Sequence, residues 1–268
     1  MALTKKSMLI SVHTLLILLL LLGHIAFVAA LFASIYALII CADKAYFKGY
    51  LSARMALFFI FSAALLLHKV PGFENIAIYQ DVQFSPDALP YSLYLNFDKF
   101  LIAVILLPYI LLIDKTDNRA LPKLPSFLSR YSLPMAMVII SVLTIGLVFV
   151  LAFALGLVNW QVKLPDEALI FFVKMLVVTV VAEECIFRGM LQRGLTNKLG
   201  LWGVLIISGL FFGAVHAAFS PLFALASVFA GLGYGLVYYY ARNIAYPIAL
   251  HFILNSIHAI FLTYPMLA

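Results

Sequence analysis

Apolar runs broken by short clusters of charge and proline divide the chain into about nine segments, at roughly 8–22, 24–41, 51–68, 99–113, 134–158, 168–191, 201–219, 221–240 and 247–265. Several of these runs approach or reach the roughly 18 to 20 residues that carry a helix across hydrocarbon. Their unbroken character does not fit the alternating pattern of a membrane barrel. The pattern therefore predicts an all-α, polytopic transmembrane helical bundle of about eight to nine membrane segments. The first two runs read as one helix would span about 50 Å, against a hydrocarbon core of about 30 Å. A bend near Gly23 and His24 is expected instead.

The polar breaks suggest how the chain is organised. Residues 1–133 form an N-terminal set of membrane segments and residues 134–268 a C-terminal bundle. Two connections are long. Residues 69–98 carry Pro71, Gly72, Pro86, Pro90 and the acids Glu74, Asp81 and Asp87, with Tyr79, Phe84, Tyr91 and Tyr94 interleaved, as expected of an aromatic outer loop at the interface. Residues 114–133 carry four basic residues with Pro122 and Pro125, as expected of a cytoplasmic linker. With the N-terminus cytoplasmic, the inner side receives Lys5, Lys6, Lys44, Lys48, Arg54, Lys115, Arg119, Lys123, Arg130, Arg193, Lys198 and Arg242, and the outer side only Lys69, Lys99 and Lys163. That asymmetry follows the positive-inside rule and predicts an outer C-terminus.

Composition agrees with the pattern. Of 268 residues 66% are hydrophobic and 10% charged, against roughly 25% charged in an ordinary soluble domain; mean hydropathy is +1.13. A single soluble domain is excluded, and the lipid bilayer is the expected surrounding. The net charge of +6 is spread between apolar segments rather than gathered in a patch, so no nucleic-acid partner is expected. Cys41 and Cys185 lie in or beside apolar segments, which argues against a disulfide framework. Lys5 and Lys6 precede the run from Met8 as in a signal peptide, but no A-x-A site follows before Cys41, so the run reads as a retained helix.

Ionisable side chains at bilayer depth cost roughly 2.5 to 3.5 kcal/mol each on insertion scales, so each asks for a reason. Glu183 and Glu184, inside VVAEECIFRGML, are the two acids away from loops and segment ends. Adjacent buried carboxylates raise each other's pKa unless paired, which is how a general base is tuned. On an α-helix Glu184 and Arg188 share a face and read as an ion pair. Glu183 is left for chemistry, with a buried salt-bridge cluster of all three as the bland alternative. FFGAVH sets Phe212 and His216 one turn apart. A basic turn near Lys198 to Gly200 makes 168–191 and 201–219 a hairpin that places Glu183 and His216 at similar depth. Gly209 and Gly213 form a small-xxx-small pattern for close helix approach. HFILN sets His251 and Asn255 on one face, where imidazole and carboxamide can donate to a developing oxyanion. His258 continues that face as a supporting or packing residue. His13, His24 and His68 read as packing or interface residues, Lys174 as a snorkelling lysine, and Ser227, Gly231 and Gly235 as a packing stripe.

Glu-Glu-x-x-x-Arg at 183–188, Phe-x-x-x-His at 212–216 and His-x-x-x-Asn at 251–255 together resemble the signature of the CPBP intramembrane peptidase family. That family takes in type II CAAX prenyl endopeptidases, bacteriocin-processing proteins and lysostaphin resistance protein A-like proteins. The resemblance covers about residues 165–260. It implies an endopeptidase acting on a membrane-bound peptide or protein, in the bacterial inner membrane. It also implies Glu183 as the base activating water with His216, His251 and Asn255 as the oxyanion pair, and Glu184 and Arg188 in support. A metal-free reading is favoured, with a zinc shell of Glu183, His216 and His251 left open. A non-catalytic scaffold or bacteriocin-immunity protein is the alternative, and a proton-coupled transporter ranks last, since no inverted repeat is visible. One tension stands: His251 falls early in its segment and His216 late in its own.

Overall fold

A computed structural model describes residues 4–42, 51–115 and 120–268; Lys44, Lys48 and Arg119 of the charge pattern lie outside the described residues. The described chain is mostly helical, with one small sheet that the all-α expectation did not contain. Two of its helices, of 22 and 21 residues, are long and apolar enough to cross a membrane. It divides into two compact units. The first comprises Met1–Ile78, Leu93–Asp117 and Val177–Cys185, and the second Tyr79–Ser92, Asn118–Leu176 and Ile186–Ala268.

In the first unit α1 (Lys5–Leu21) opens on a capping box: Ser7 N donates to Thr4 Oγ1 at 3.0 Å and Thr4 N to Ser7 Oγ at 2.9 Å. The expected bend follows it, with Gly23 at φ +77° leading into α2 (Phe27–Cys41). A side chain at that φ would be strained. Helices α3 (Leu51–Leu66) and α4 (Phe97–Lys115) complete the set. α4 packs against α1, α2 and α3, and also against the short α7 (Val181–Glu184). Tyr36 and Ser62 share a buried hydrogen bond of 2.8 Å. His24 stacks on Phe97 at 4.9 Å, as a packing residue does. His68 departs from the packing role expected of it. Its Nδ1 meets Asp98 Oδ2 at 2.6 Å, and the carboxylate is almost fully buried. The partner comes from another helix, where spacing along the sequence gives no sign of it.

In the second unit α9 (Pro221–Ala241) is the central helix, packed against α8 (Arg193–His216), α5 (Leu133–Ala154) and α10 (Ala245–Phe261). Glycines permit the close approach. A Cβ on Gly213 would sit 2.4 Å from Val228 Cγ2 and 2.7 Å from the Ala224 carbonyl oxygen, and one on Gly233 would meet Thr144 atoms at 2.1 to 2.8 Å. Ser220 caps α9 by accepting from Phe223 N at 3.0 Å, with Pro221 next.

The 69–98 connection is more ordered than expected: strands β1 (Ile76–Val82) and β2 (Tyr91–Leu95) pair in a two-stranded sheet. Its residues in the second unit close over the end of α10. Phe84 and Tyr91 contact Phe171 and Tyr264 with ring centroids 5.1 to 6.4 Å apart. The stretch Leu262–Ala268 runs between two extended segments. Leu89 N and Ala268 N bond Met266 O and Asp87 O on one side, and Leu267 N and Thr263 N bond Leu157 O and Asn159 O on the other. Lys163 Nζ donates to Leu262 O. Burial lowers the Lys163 pKa, and the Asp87 carboxylate opposes that shift.

Candidate active site

The stretch from Ala168 is helical throughout, but it is not one α-helix. After α6 (Ala168–Lys174) it becomes π-helical over Met175–Val180, returns to α in α7, and is π-helical again over Cys185–Gln192. Such turns bond residue i to i+5, are rare, and concentrate at functional sites. The same-face inference for Glu184 and Arg188 assumed a spacing of four, so it does not carry over to these turns. Glu183 and Glu184 stand on α7 beside α4 in the first unit, buried at 5% and 0% exposure. Lys174, expected to snorkel, is buried as well; it shares the inward face of Phe171, one turn earlier.

Phe212 is the hub of the second unit's site. Its ring lies 4.7 Å from His216, 5.5 Å from His251 in a T-shaped contact, and 5.6 Å from Tyr234, also T-shaped. Phe187 meets it edge-on at 5.3 Å, and Ser208 Oγ donates to Phe187 O at 3.4 Å. These contacts close the expected hairpin from the Arg188 side. Phe187 and Phe212 are almost equally far along the chain from Gly200, whose φ of +65° makes the turn inside α8.

Arg188 is fully buried, and a charge so placed needs partners. Its Nη2 donates to Gly231 O at 2.8 Å, and its guanidinium lies 4.7 Å from the Phe212 centroid and 5.2 Å from that of Tyr234. Four residues on, Gln192 Nε2 donates to Gly235 O, also at 2.8 Å. Two successive side chains thus clip onto two successive turns of α9. The glycines make room: a Cβ on Gly231 would be 3.1 Å from Gly209 Cα, and one on Gly235 3.0 Å from Gln192 Oε1.

His216 is half-buried at the end of α8, and its Nδ1 lies 2.8 Å from Phe212 O. A carbonyl only accepts, so Nδ1 donates this bond and, in the neutral imidazole, Nε2 bears the lone pair. His251 is buried, stacked on Tyr234 at 4.7 Å and 18°. Asn255 follows one turn later, half-buried. His258 joins the group through Phe223, which lies 6.1 Å from His216 and 6.5 Å from His258; its Nε2 donates to Thr263 O at 3.1 Å. The early position on α10 and the late one on α8 meet by stagger. His251 meets Phe212, one turn before His216, and is itself about 9 Å along α10 from Ala245, whereas Phe212 is about 17 Å from Leu201.

Arg188, Phe212, His216 and His251 are therefore brought together, with Asn255 and His258 on the continuing face of α10. Sequence reasoning passed over Gln192, just beyond the expected segment, and Tyr234. An aromatic ring amid Gly231, Gly233 and Gly235 was the available signal. Among the described residues no group of three or more His, Cys, Asp or Glu side chains is placed to hold a metal ion.

Residues 165–257 match the family model described as type II CAAX prenyl endopeptidase Rce1-like, consistent with the CPBP resemblance. That family is one of membrane-embedded, CAAX-type endopeptidases. No curated protein and no solved structure matches the chain.

Proposed function

We propose that the protein is an intramembrane endopeptidase that hydrolyses a peptide bond in a membrane-associated protein or peptide. The observation that carries this reading is the family match, which takes in all three motifs. The meeting of the second and third motifs around Phe212 supports it. In this mechanism Glu183 accepts a proton from water, assisted by the lone pair on His216 Nε2, as the water oxygen attacks the scissile carbonyl carbon. His251 and Asn255 donate to the oxyanion that forms. Collapse of the tetrahedral intermediate breaks the C–N bond, and the proton held by Glu183 passes to the leaving amine. Arg188 and Phe212 support the two histidines. No step is routed through a metal. The proposed setting is a bacterial inner membrane, with the N-terminus cytoplasmic and eight to nine segments in the bilayer.

Proteomics of membranes from wild-type and Glu183→Gln strains identifies the substrate as a protein that persists uncleaved in the variant. Glutamine is nearly isosteric but cannot act as a base, so cleavage of that substrate by purified protein should fall by at least 100-fold, within the usual span for a lost general base. Unchanged cleavage would end the hydrolytic reading in favour of a scaffold or immunity role. Stoichiometric zinc in purified protein, with activity lost on chelation and restored by zinc, would replace the metal-free mechanism.

A further inference from the structure

The structure assigns Tyr234 as the positioning residue for the His251 imidazole. The inference rests on the proposed role of His251 as an oxyanion donor, and the family signature read from the sequence does not include Tyr234. Its ring is 1% exposed and lies nearly parallel to the imidazole, at 18° with centroids 4.7 Å apart. Phe212 stands almost perpendicular to both, at 84° to Tyr234 and 80° to His251. The imidazole therefore has one aromatic wall along its face and another across it. Rotation about the Cβ–Cγ bond would drive the ring into one or the other, so the two nitrogens stay in a plane parallel to Tyr234.

The walls are themselves anchored. The Arg188 guanidinium lies over both Phe212 and Tyr234, and Arg188 is tied to the Gly231 carbonyl, one turn before Tyr234 on α9. The flanking Gly233 and Gly235 hold α9 close to α5 and α8, since a Cβ at either position would collide with Thr144 or Leu205. Tyr234 is thus a large ring on a backbone that cannot retreat. An oxyanion donor works only when held within about 0.5 Å and 10–20° of its productive geometry. Stacking supplies that restraint across the face of the His251 imidazole.

The test is a cycle of Tyr234→Leu and His251→Ala in the full-length protein, with Tyr234→Phe as the conservative variant. Losing an oxyanion donor costs about 10²- to 10³-fold in kcat. Tyr234→Leu should therefore lower kcat by about 10- to 100-fold with KM little changed, and Tyr234→Phe should restore it. In the His251→Ala background Tyr234→Leu should cost nothing further, because the group it positions is gone. An additive loss, or no rescue by phenylalanine, overturns the inference. NMR of histidine-labelled protein reads the contact without turnover. The His251 ring protons should lose their ring-current displacement in Tyr234→Leu and keep it in Tyr234→Phe, and unchanged resonances in the leucine variant overturn the proposal. If Glu183→Gln is inactive while Tyr234→Leu turns over at the wild-type rate, the positioning role alone fails. If Glu183→Gln remains active, the peptidase reading fails and the NMR result still decides the packing.

Discussion

Gly213→Ala puts the packing of α8 on α9 to a quantitative test. The added Cβ would lie 2.4 Å from Val228 Cγ2 and 2.7 Å from Ala224 O, well inside the 3.5 to 4.0 Å at which carbon atoms rest in contact. A valine methyl can turn aside, but the carbonyl belongs to the α9 backbone and cannot, so the helices must part locally. Overpacking of this kind costs about 1–3 kcal/mol. Alanine also returns up to about 1 kcal/mol of helix propensity, and a second glycine measures that gain separately. Gly146, on α5, has nothing within 4 Å of its would-be Cβ, so Gly146→Ala should be neutral or slightly stabilising. The difference between the two variants isolates the clash and should be about 1–3 kcal/mol by reversible unfolding in mixed micelles. Adding Val228→Ala to Gly213→Ala should recover part of the loss, since the carbonyl contact remains. If the two glycine variants unfold together, or the valine change gives no recovery, the close approach of these helices is wrong. Because Gly213 is one turn before His216 on nearly the same face, cleavage should fall with stability.

Two other groups carry predictions. Lys163 has a folded-state pKa lowered by burial, so between that value and the ordinary 10.5 the unfolded chain binds more protons and stability rises with pH. Thermal unfolding followed from pH 8 to 11 should show this rise, and Lys163→Met should remove it; a rise of equal size in the variant would refute the assignment. Asp98 is buried against His68 at 2.6 Å, so His68→Leu should destabilise the protein by about 1–3 kcal/mol, the cost of a buried polar group left without its partner. Adding Asp98→Leu should restore part of that loss in denaturant unfolding, and no recovery would show that the pair is not coupled.

The helices were legible because apolar length is what the bilayer demands of them. Gly23 and Gly200, which punctuate the sequence, both turn the chain at positive φ. The chemistry-bearing positions on α8 and α10 were legible for a different reason: polar side chains amid long apolar runs stand out, and spacings of four on true α-helices preserve their face. That logic assumes i→i+4 bonding and does not extend to the π-helical turns. Nothing in VVAEECIFRGML distinguishes i→i+4 from i→i+5 bonding, since every residue there suits either. Partners contributed by distant segments were also invisible. Asp98 reaches His68 from the next helix, and Tyr234 hides among residues read only as a packing stripe. The 69–98 connection did carry a signal, in the alternating Tyr91, Leu93 and Leu95 of β2, but its prolines and acids outweighed it.

The π-helical turns before and after α7 have a consequence for relatives of this chain. A π turn closes its hydrogen bond over five residues where an α turn closes it over four, which amounts to an α-helix with one residue to spare. Losing that residue lets the helix tighten back to α with the later side chains still in phase, whereas losing it with no change of helix type would swing every later side chain by about 100°. What this part of the molecule must keep constant is angular phase rather than residue count. A homologue that gains or loses one residue between the positions of Glu184 and Gln192, while turning one π segment into α or the reverse, can still point the same side chains in the same directions. Comparisons that hold spacing rigid would miss it.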